Sequence, residues 1–268
     1  MTRPHDGMQG WRAARGATCL LVAAYLLAPL AIVVIISFSA APFLQFPPPG
    51  LSMRWYSNLF SDAGWTSSLL VSLEVLVPSA LLATVLGTAA SYALVRGSVP
   101  GAGLIQAFLL LPIVVPGIIT AAALFGAFRG LGLNGTLSGL VIGHTVLTLP
   151  YVVATVTAAL RSLDPRLEAA AATMGASPAV AFRRITLPLL APGVLSGLLF
   201  AMVVSFDELI VSLFVSSARV RPVPVQMWSN LRGDFDPTIA AIATICFLFA
   251  TAALLLDGLL RRRTGTSA

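Results

Sequence analysis

The chain has 268 residues, of which 57% are hydrophobic and only 10% charged, whereas a soluble domain carries roughly 25% charged residues. That balance excludes an ordinary soluble enzyme or binding module and points to a polytopic membrane protein. The net charge of +6 rests on 16 basic residues that are all Arg; they form no aromatic-interleaved stripe of the kind a nucleic-acid groove requires, and the missing Lys excludes both a P-loop and a Schiff-base site.

Arg3, Arg12 and Arg15 precede an apolar run from Ala17 to Phe38, followed by Ser39-Ala40-Ala41. The run is longer than the roughly 7–15 residues of a signal-peptide core, so it predicts a retained first membrane helix over 17–38. Further spans are expected at 67–95, 104–128, 137–160, 189–216 and 238–260, each long enough for a hydrocarbon core of about 30 Å. Cys19 and Cys246 fall inside apolar runs without metal-ligand spacing and read as small space-filling hydrophobes. No metal or cofactor is expected.

Trp55, Tyr56, Trp65 and Trp228 lie in or beside two of the gaps. They fit an interfacial aromatic belt, which does not exclude a docking surface for an external partner. Span two carries Glu74. Span three contains Leu111-Pro112-Ile113-Val114-Val115-Pro116-Gly117, and each proline removes a backbone donor, so this helix should be kinked or interrupted. Span four holds His144, which reads as an interhelical hydrogen bonder rather than a ligand.

The longest internal gap, about 161–188, is neither low-complexity nor Gly/Ser-rich. Asp164-Pro165 reads as an N-cap with Pro at the first helical position. The run Glu168-Ala-Ala-Ala-Ala-Thr-Met174 is a strong helix former, and Gly175 reads as a left-handed C-cap. Ser177-Pro178 repeats the cap signature and starts a second short helix through Arg184, which Leu187-Pro188 is expected to break before span five. Two short helices joined at Gly175 form either a knob that fits a groove on a soluble partner or a solvated surface hairpin.

The stretch Glu168–Pro188 resembles the EAA loop of ABC importer permeases, the binding-protein-dependent transport family with the MetI-like fold. The family pattern is Glu-Ala-Ala, three residues, Gly, nine residues, Ile, one residue, Leu-Pro. Gly175, Ile185, Leu187 and Pro188 match it at the right spacing. The family's glutamate position holds Ala169, followed by Ala170 and Ala171, while Glu168 stands one residue early, about 100° round the helix. The resemblance covers about residues 65–258. It implies an all-α membrane protein with a six-helix ABC type-1 transmembrane domain. It also implies that the loop is a coupling helix docking on a separate ATPase subunit, with Glu168, Ala169, Ala170, Gly175, Ile185, Leu187 and Pro188 as its marked positions. The chain then divides into 1–64 (N-terminal segment, first span and external loop), the transmembrane domain 65–258 and a basic tail 259–268.

Span five carries Asp207 and Glu208. Ionisable residues near a membrane centre cost roughly 2.5–3.5 kcal/mol and default to functional hypotheses. Along continuous helices Glu74 would sit about 10 Å, and Asp207 with Glu208 about 12 Å, below the external ends of their spans. Three acids at that depth can form a cation path, or one of them can be a neutral hydrogen-bonded group between helices. Ser205-Phe206-Asp207-Glu208-Leu209-Ile210-Val211-Ser212-Leu213-Phe214-Val215, Asp236-Pro237-Thr238-Ile239-Ala240-Ala241-Ile242-Ala243-Thr244, and Gly143-His144-Thr145 with Leu149-Pro150-Tyr151 resemble spermidine/putrescine-type permeases. That likeness implies a polyamine as cargo; relatives for aminoethylphosphonate, iron or other small solutes share much of these stretches.

One set of gaps holds eleven arginines (Arg3, Arg12, Arg15, Arg96, Arg161, Arg166, Arg183, Arg184, Arg261, Arg262, Arg263) and the alternate set five (Arg54, Arg129, Arg219, Arg221, Arg232). The positive-inside rule then puts both termini in the cytoplasm of a bacterial inner membrane. With no lysine and no external gap above about 30 residues, ATP hydrolysis and solute capture are expected from separate ATPase and binding-protein subunits. A second, homologous permease is the expected partner, as a heterodimer, alongside membrane lipid. A gradient-driven secondary transporter would need paired inverted repeats with matching broken helices, and only one Pro-interrupted span is conspicuous. An intramembrane enzyme would need a nucleophile with its base or a metal constellation. His144 is the lone intramembrane histidine, and neither Gly-x-Ser-Gly nor His-Glu-x-x-His occurs.

Overall fold

The structure is a computed structural model that describes residues 5–233 and 236–264, without the side chains of 5–10, 12–14 and 260–264. Arg3, Arg12, Arg261, Arg262 and Arg263 of the charge count, and the tail from 265 onward, lie outside that description. In chain order the helices are α1 (His5–Ser37), α2 (Arg54–Ser61), α3 (Ala63–Arg96), α4 (Ala102–Val114), α5 (Gly117–Leu131), α6 (Leu137–Ser162) and α7 (Arg166–Thr173). They continue as α8 (Pro178–Ala181), α9 (Leu187–Phe206), α10 (Ile210–Val215), α11 (Val223–Arg232) and α12 (Thr238–Thr264), with a π-helical turn at Phe182–Thr186.

Among the described residues, five helices are long and apolar enough to cross a membrane: Arg15–Ser37, Ala63–Arg96, Leu137–Ser162, Pro178–Phe206 and Thr238–Leu259. The α4–α5 pair, bent by 106°, brings the number to six if it is one span. The bend sits at the second of the two prolines marked in the sequence. Val115, ahead of Pro116, is driven to extended backbone (φ −72°, ψ 131°) because the proline ring clashes with a helical predecessor. Pro112 is absorbed inside α4.

Two compact units compose the chain, one from Met1–Asp62 with Asn230–Phe247, the other from Ala63–Ser229 with Leu248–Ala268. In the first, the gap after α1 is tied down rather than loose. Ala40 N–H donates to Gly50 O (2.9 Å) and Ser52 N–H to Phe38 O (2.7 Å). The indole N–H of Trp55 donates to Ser39 O (2.8 Å), and Tyr56 OH pairs with Ser37 Oγ at 2.8 Å. Trp55 is therefore a core residue, as is Trp65 in the second unit; of the four belt aromatics, Trp228 keeps an exposed ring. Asp236 caps α12 by accepting from the backbone N–H (3.0 Å) and hydroxyl (2.8 Å) of Thr238, and Asn58 Nδ2 donates to the same hydroxyl oxygen at 2.8 Å.

The second unit is organised on α3, α6 and α9. Ala80, Ala83, Val152, Val156, Leu160, Leu190 and Ala201 form one buried cluster; Val75, Ala121, Phe128, Leu140, Val211 and Val215 form another toward α5 and α10. Small residues allow the close approach. A Cβ on Gly87 would come within 2.7 Å of Val152 Cγ1, and Gly197 faces the same Val152 at 3.4 Å.

Two expectations fail here. The fifth span is not one helix over 189–216: it runs Pro178–Phe206, unwinds at Asp207–Leu209 and restarts as α10. The Glu208 carboxylate accepts the Val211 N–H at 2.8 Å, offering the backbone a cap in place of continued helix, and the 1.5 Å per-residue depth assigned to the acids does not carry through the turn. Nor does Leu187-Pro188 break the preceding helix. The Leu187 N–H bonds Phe182 O, a π-type i to i−5 link, and the widened turn leaves room for the proline ring that a tight α-turn would exclude.

Candidate coupling and translocation sites

On the loop between α6 and α9, Asp164 Oδ1 accepts the Arg166 N–H at 2.9 Å, a cap-type bond made one residue ahead of Pro165, the N-cap of α7. Gly175 adopts φ +84°. The Ala176 N–H bonds Ala171 O and the Gly175 N–H bonds Ala172 O, both at 3.0 Å, a Schellman-type stop. Ala171 is the buried face of α7, while Ala169, Ala170, Thr173 and Gly175 are exposed and Met174 stands 82% exposed at the tip. Leu187 and Pro188 are exposed and Ile185 is half-buried. The arrangement presents a small-residue convex face to solvent.

Glu168 faces the other way. Its Oε1 accepts the Thr186 hydroxyl at 2.6 Å and the Arg96 Nε–H at 3.4 Å. Arg96 Nη2 also donates to Leu160 O (3.2 Å) and Leu163 O (2.9 Å) at the end of α6. Arg96 entered the sequence reading only as one of the charges that set orientation; its role at this junction needs α3, α6 and α7 in three dimensions.

Within the spans, a chain of buried polar groups joins four helices. Ser79 Oγ lies 3.1 Å from Ser205 Oγ. His144 Nδ1 lies 2.9 Å from Ser205 Oγ, and His144 Nε2 lies 2.9 Å from Ser212 Oγ. Ser205 precedes the unwound turn and Ser212 follows it, so one imidazole staples both sides of the break. Asp207 is exposed on that turn and Glu208 is half-buried as the α10 cap. Glu74 is exposed on α3 and has no hydrogen-bond partner among the described residues. It lies five residues from Ser79, about 7.5 Å along the axis and about 140° round the helix. Ser79 is the α3 residue that meets Ser205, so Glu74 projects away from the α3–α9 contact rather than into it. A groove of about 430 Å³ between α6 and α9, lined by Ala154, Thr155, Ala158, Ala159, Pro192, Gly193 and Ser196, includes none of them.

A fourth acid in the spans was missed. Asp257 on α12 is buried and accepts the hydroxyl of Ser196 on α9. Its signal was a lone carboxylate inside the last apolar run, Leu254-Leu255-Leu256-Asp257-Gly258-Leu259-Leu260.

Five helices long and apolar enough to cross a membrane, one bent pair, and a helical knob between α6 and α9 fit an ABC importer permease subunit. The chain belongs to the family of binding-protein-dependent transport system inner membrane components, whose sequence model matches residues 83–266. It is 31% identical over 249 residues to the spermidine/putrescine transport system permease protein PotC of Haemophilus influenzae, covering 93% of this chain and 96% of that one. It is 33% identical over 234 residues to the putrescine transport system permease protein PotI of Escherichia coli K12, covering 84% and 83%. In fold it is similar to a chain of a bacterial ABC transporter that imports the acidic polysaccharide alginate, with TM-score 0.71, 15% identity and 98% of both chains covered. A chain of an amino acid ABC transporter with histidines superposes with TM-score 0.56 at 19% identity, covering 79% and 96%. The chain is thus a multi-pass transport subunit of the inner-membrane permease family, not an enzyme in itself.

Proposed function

We propose that this subunit forms half of the translocation path for a polyamine of the spermidine/putrescine type. It pairs with a second, homologous permease and receives its cargo from an external binding protein. ATPase subunits dock on the α7–α8 knob through Ala169, Ala170 and Gly175, with Ile185, Leu187 and Pro188 shaping its base. Both termini face the cytoplasm, and residues 65–258 act as the transporting domain between the first span and the basic tail. The observation that carries the cargo assignment is the identity of 30% or more to permeases named for spermidine and putrescine over most of the chain.

The acids supply a physical rationale. A carboxylate facing hydrocarbon at the bilayer centre costs roughly 2.5–3.5 kcal/mol, so the exposed Glu74 and Asp207 fit best where another subunit or an aqueous path covers them. An organic cation with several ammonium groups would lower that cost. Uptake of radiolabelled spermidine by vesicles containing the assembled complex tests the reading. Asp207→Asn should raise the KM for spermidine by roughly five- to tenfold, equivalent to about 1–1.4 kcal/mol of lost attraction, with the complex intact. Unchanged kinetics in that variant would remove Asp207 from the path. ATP-dependent uptake of aminoethylphosphonate or iron with no spermidine uptake would replace the cargo.

A further inference from the structure

We infer that Arg96, Glu168 and Thr186 form an internal strut that makes the α7 knob move as one body with α3, α6 and the root of α9. Glu168 is then a positioning residue and not a contact to the ATPase. This rests on the coupling role proposed for the knob.

The one-residue displacement of the glutamate carries the argument. At position 169 a side chain projects into solvent, as Ala169 does. At 168 it points about 100° away, into the junction, where its side chain is only 21% exposed and that of Arg96 14%. One carboxylate oxygen holds two donors from two different elements, the Thr186 hydroxyl and the Arg96 guanidinium. The same guanidinium holds two carbonyls at the end of α6, where a cation also complements the helix dipole. Tyr92 on α3 packs edge-on against Phe182 of the π-helical turn, with ring centroids 4.8 Å apart, closing the junction from its apolar side.

Beyond this junction the knob is held by its chain links, Leu163–Pro165 and Met174–Ser177, and by the packing of its buried Ala171. Those links alone would let it pivot about Gly175. The polar junction removes that freedom, and a push received on Ala169, Ala170 and Met174 is passed to the three helices of the core. Thr186, 2% exposed, ties α7 to the turn that leads into α9 and so sets the register of the push.

The test measures whether α7 and α3 move together. Spin labels are placed at the exposed Met174 and Leu86 in a chain with Cys19→Ser and Cys246→Ala, assembled with its ATPase subunits, and the distance is read by double electron–electron resonance with and without ATP. A strut predicts one distance in both conditions. Glu168→Ala, and separately the near-isosteric Thr186→Val, should each widen the distribution about twofold as the knob gains local freedom. Adding Arg96→Ala to Glu168→Ala should widen it no further, the non-additivity of a shared contact. The ATPase subunits should co-purify undiminished with every variant. Loss of the ATPase from Glu168→Ala but not from Thr186→Val would make Glu168 a docking contact and overturn the inference. A distance that shifts with ATP in the unsubstituted chain sinks the strut while leaving the coupling role standing; failure of that chain to bind any ATPase removes both.

Discussion

His144 joins residues that lie far apart in the chain. Its two ring nitrogens reach Ser205 and Ser212, which are 61 and 68 residues away, and in the neutral ring one nitrogen donates while the other accepts. Interhelical hydrogen bonds in membranes are worth on average about 0.6 kcal/mol and up to about 1.7 kcal/mol each. His144→Leu, close in size but without polar atoms, should therefore lower stability by about 1–3 kcal/mol, read as an earlier unfolding midpoint in detergent. His144→Asn, which keeps a donor and an acceptor on a shorter arm, should lose less; equal losses would mean that packing, not the two bonds, is what the ring supplies. The histidine's bonding role was legible because an intramembrane histidine must find partners. Its partners were not. No Gly or Pro marks the Asp207–Leu209 turn, so nothing in the local sequence showed that Ser205 and Ser212 flank a break. Glu208 illustrates the same limit, since one of the three acids read as able to form a cation path is partly committed to a backbone N–H.

At the scale of elements, the breaks that rest on proline chemistry were readable and those that rest on packing were not. Pro116 forces its predecessor out of the helix whatever surrounds it. The π-helical turn at Phe182–Thr186 has no such local cause, and it is what lets Pro188 sit inside a continuous helical segment. The contact of α3, α6 and α9 depends on absent side chains. A Cβ on Gly87 would meet Val152 at 2.7 and 2.9 Å, closer than real atoms pack. Gly87→Ala should therefore cost about 1–3 kcal/mol through overpacking, although alanine is the better helix former. Adding Val152→Ala should recover part of that loss, because the Val152 methyls are the atoms in the way. Thermal unfolding of the single and double variants in detergent measures this; a double variant less stable than the sum of the singles would mean that Val152 is needed for its contact with Gly197 instead.

For the whole molecule, the direction in which the chain is threaded hinges on whether the bent α4–α5 pair crosses the bilayer. If it crosses, the alternate gaps divide the arginines eleven to five, and both termini lie on the Arg-rich side. If the 106° bend instead returns the pair to the side it entered from, Arg129 joins Arg96 and the termini fall on opposite faces. One side then holds Arg3, Arg12, Arg15, Arg96, Arg129, Arg219, Arg221 and Arg232. The other holds Arg54, Arg161, Arg166, Arg183, Arg184, Arg261, Arg262 and Arg263, an even eight-to-eight split. A re-entrant hairpin would thus erase the charge bias that orients inner-membrane proteins, which favours a crossing. Six crossings also keep Arg96 on the same side as Glu168, and the two side chains are paired at 3.4 Å. Single cysteines at Ser98, in the gap between α3 and α4, and at Leu131, the last residue of α5, each in a chain with Cys19→Ser and Cys246→Ala, should separate the two threadings in intact cells. An impermeant maleimide should label position 131 from outside and leave position 98 unlabelled until the membrane is opened. Positions 98 and 131 labelled together or protected together would show that α4 and α5 turn back, and would take the cytoplasmic placement of both termini with it.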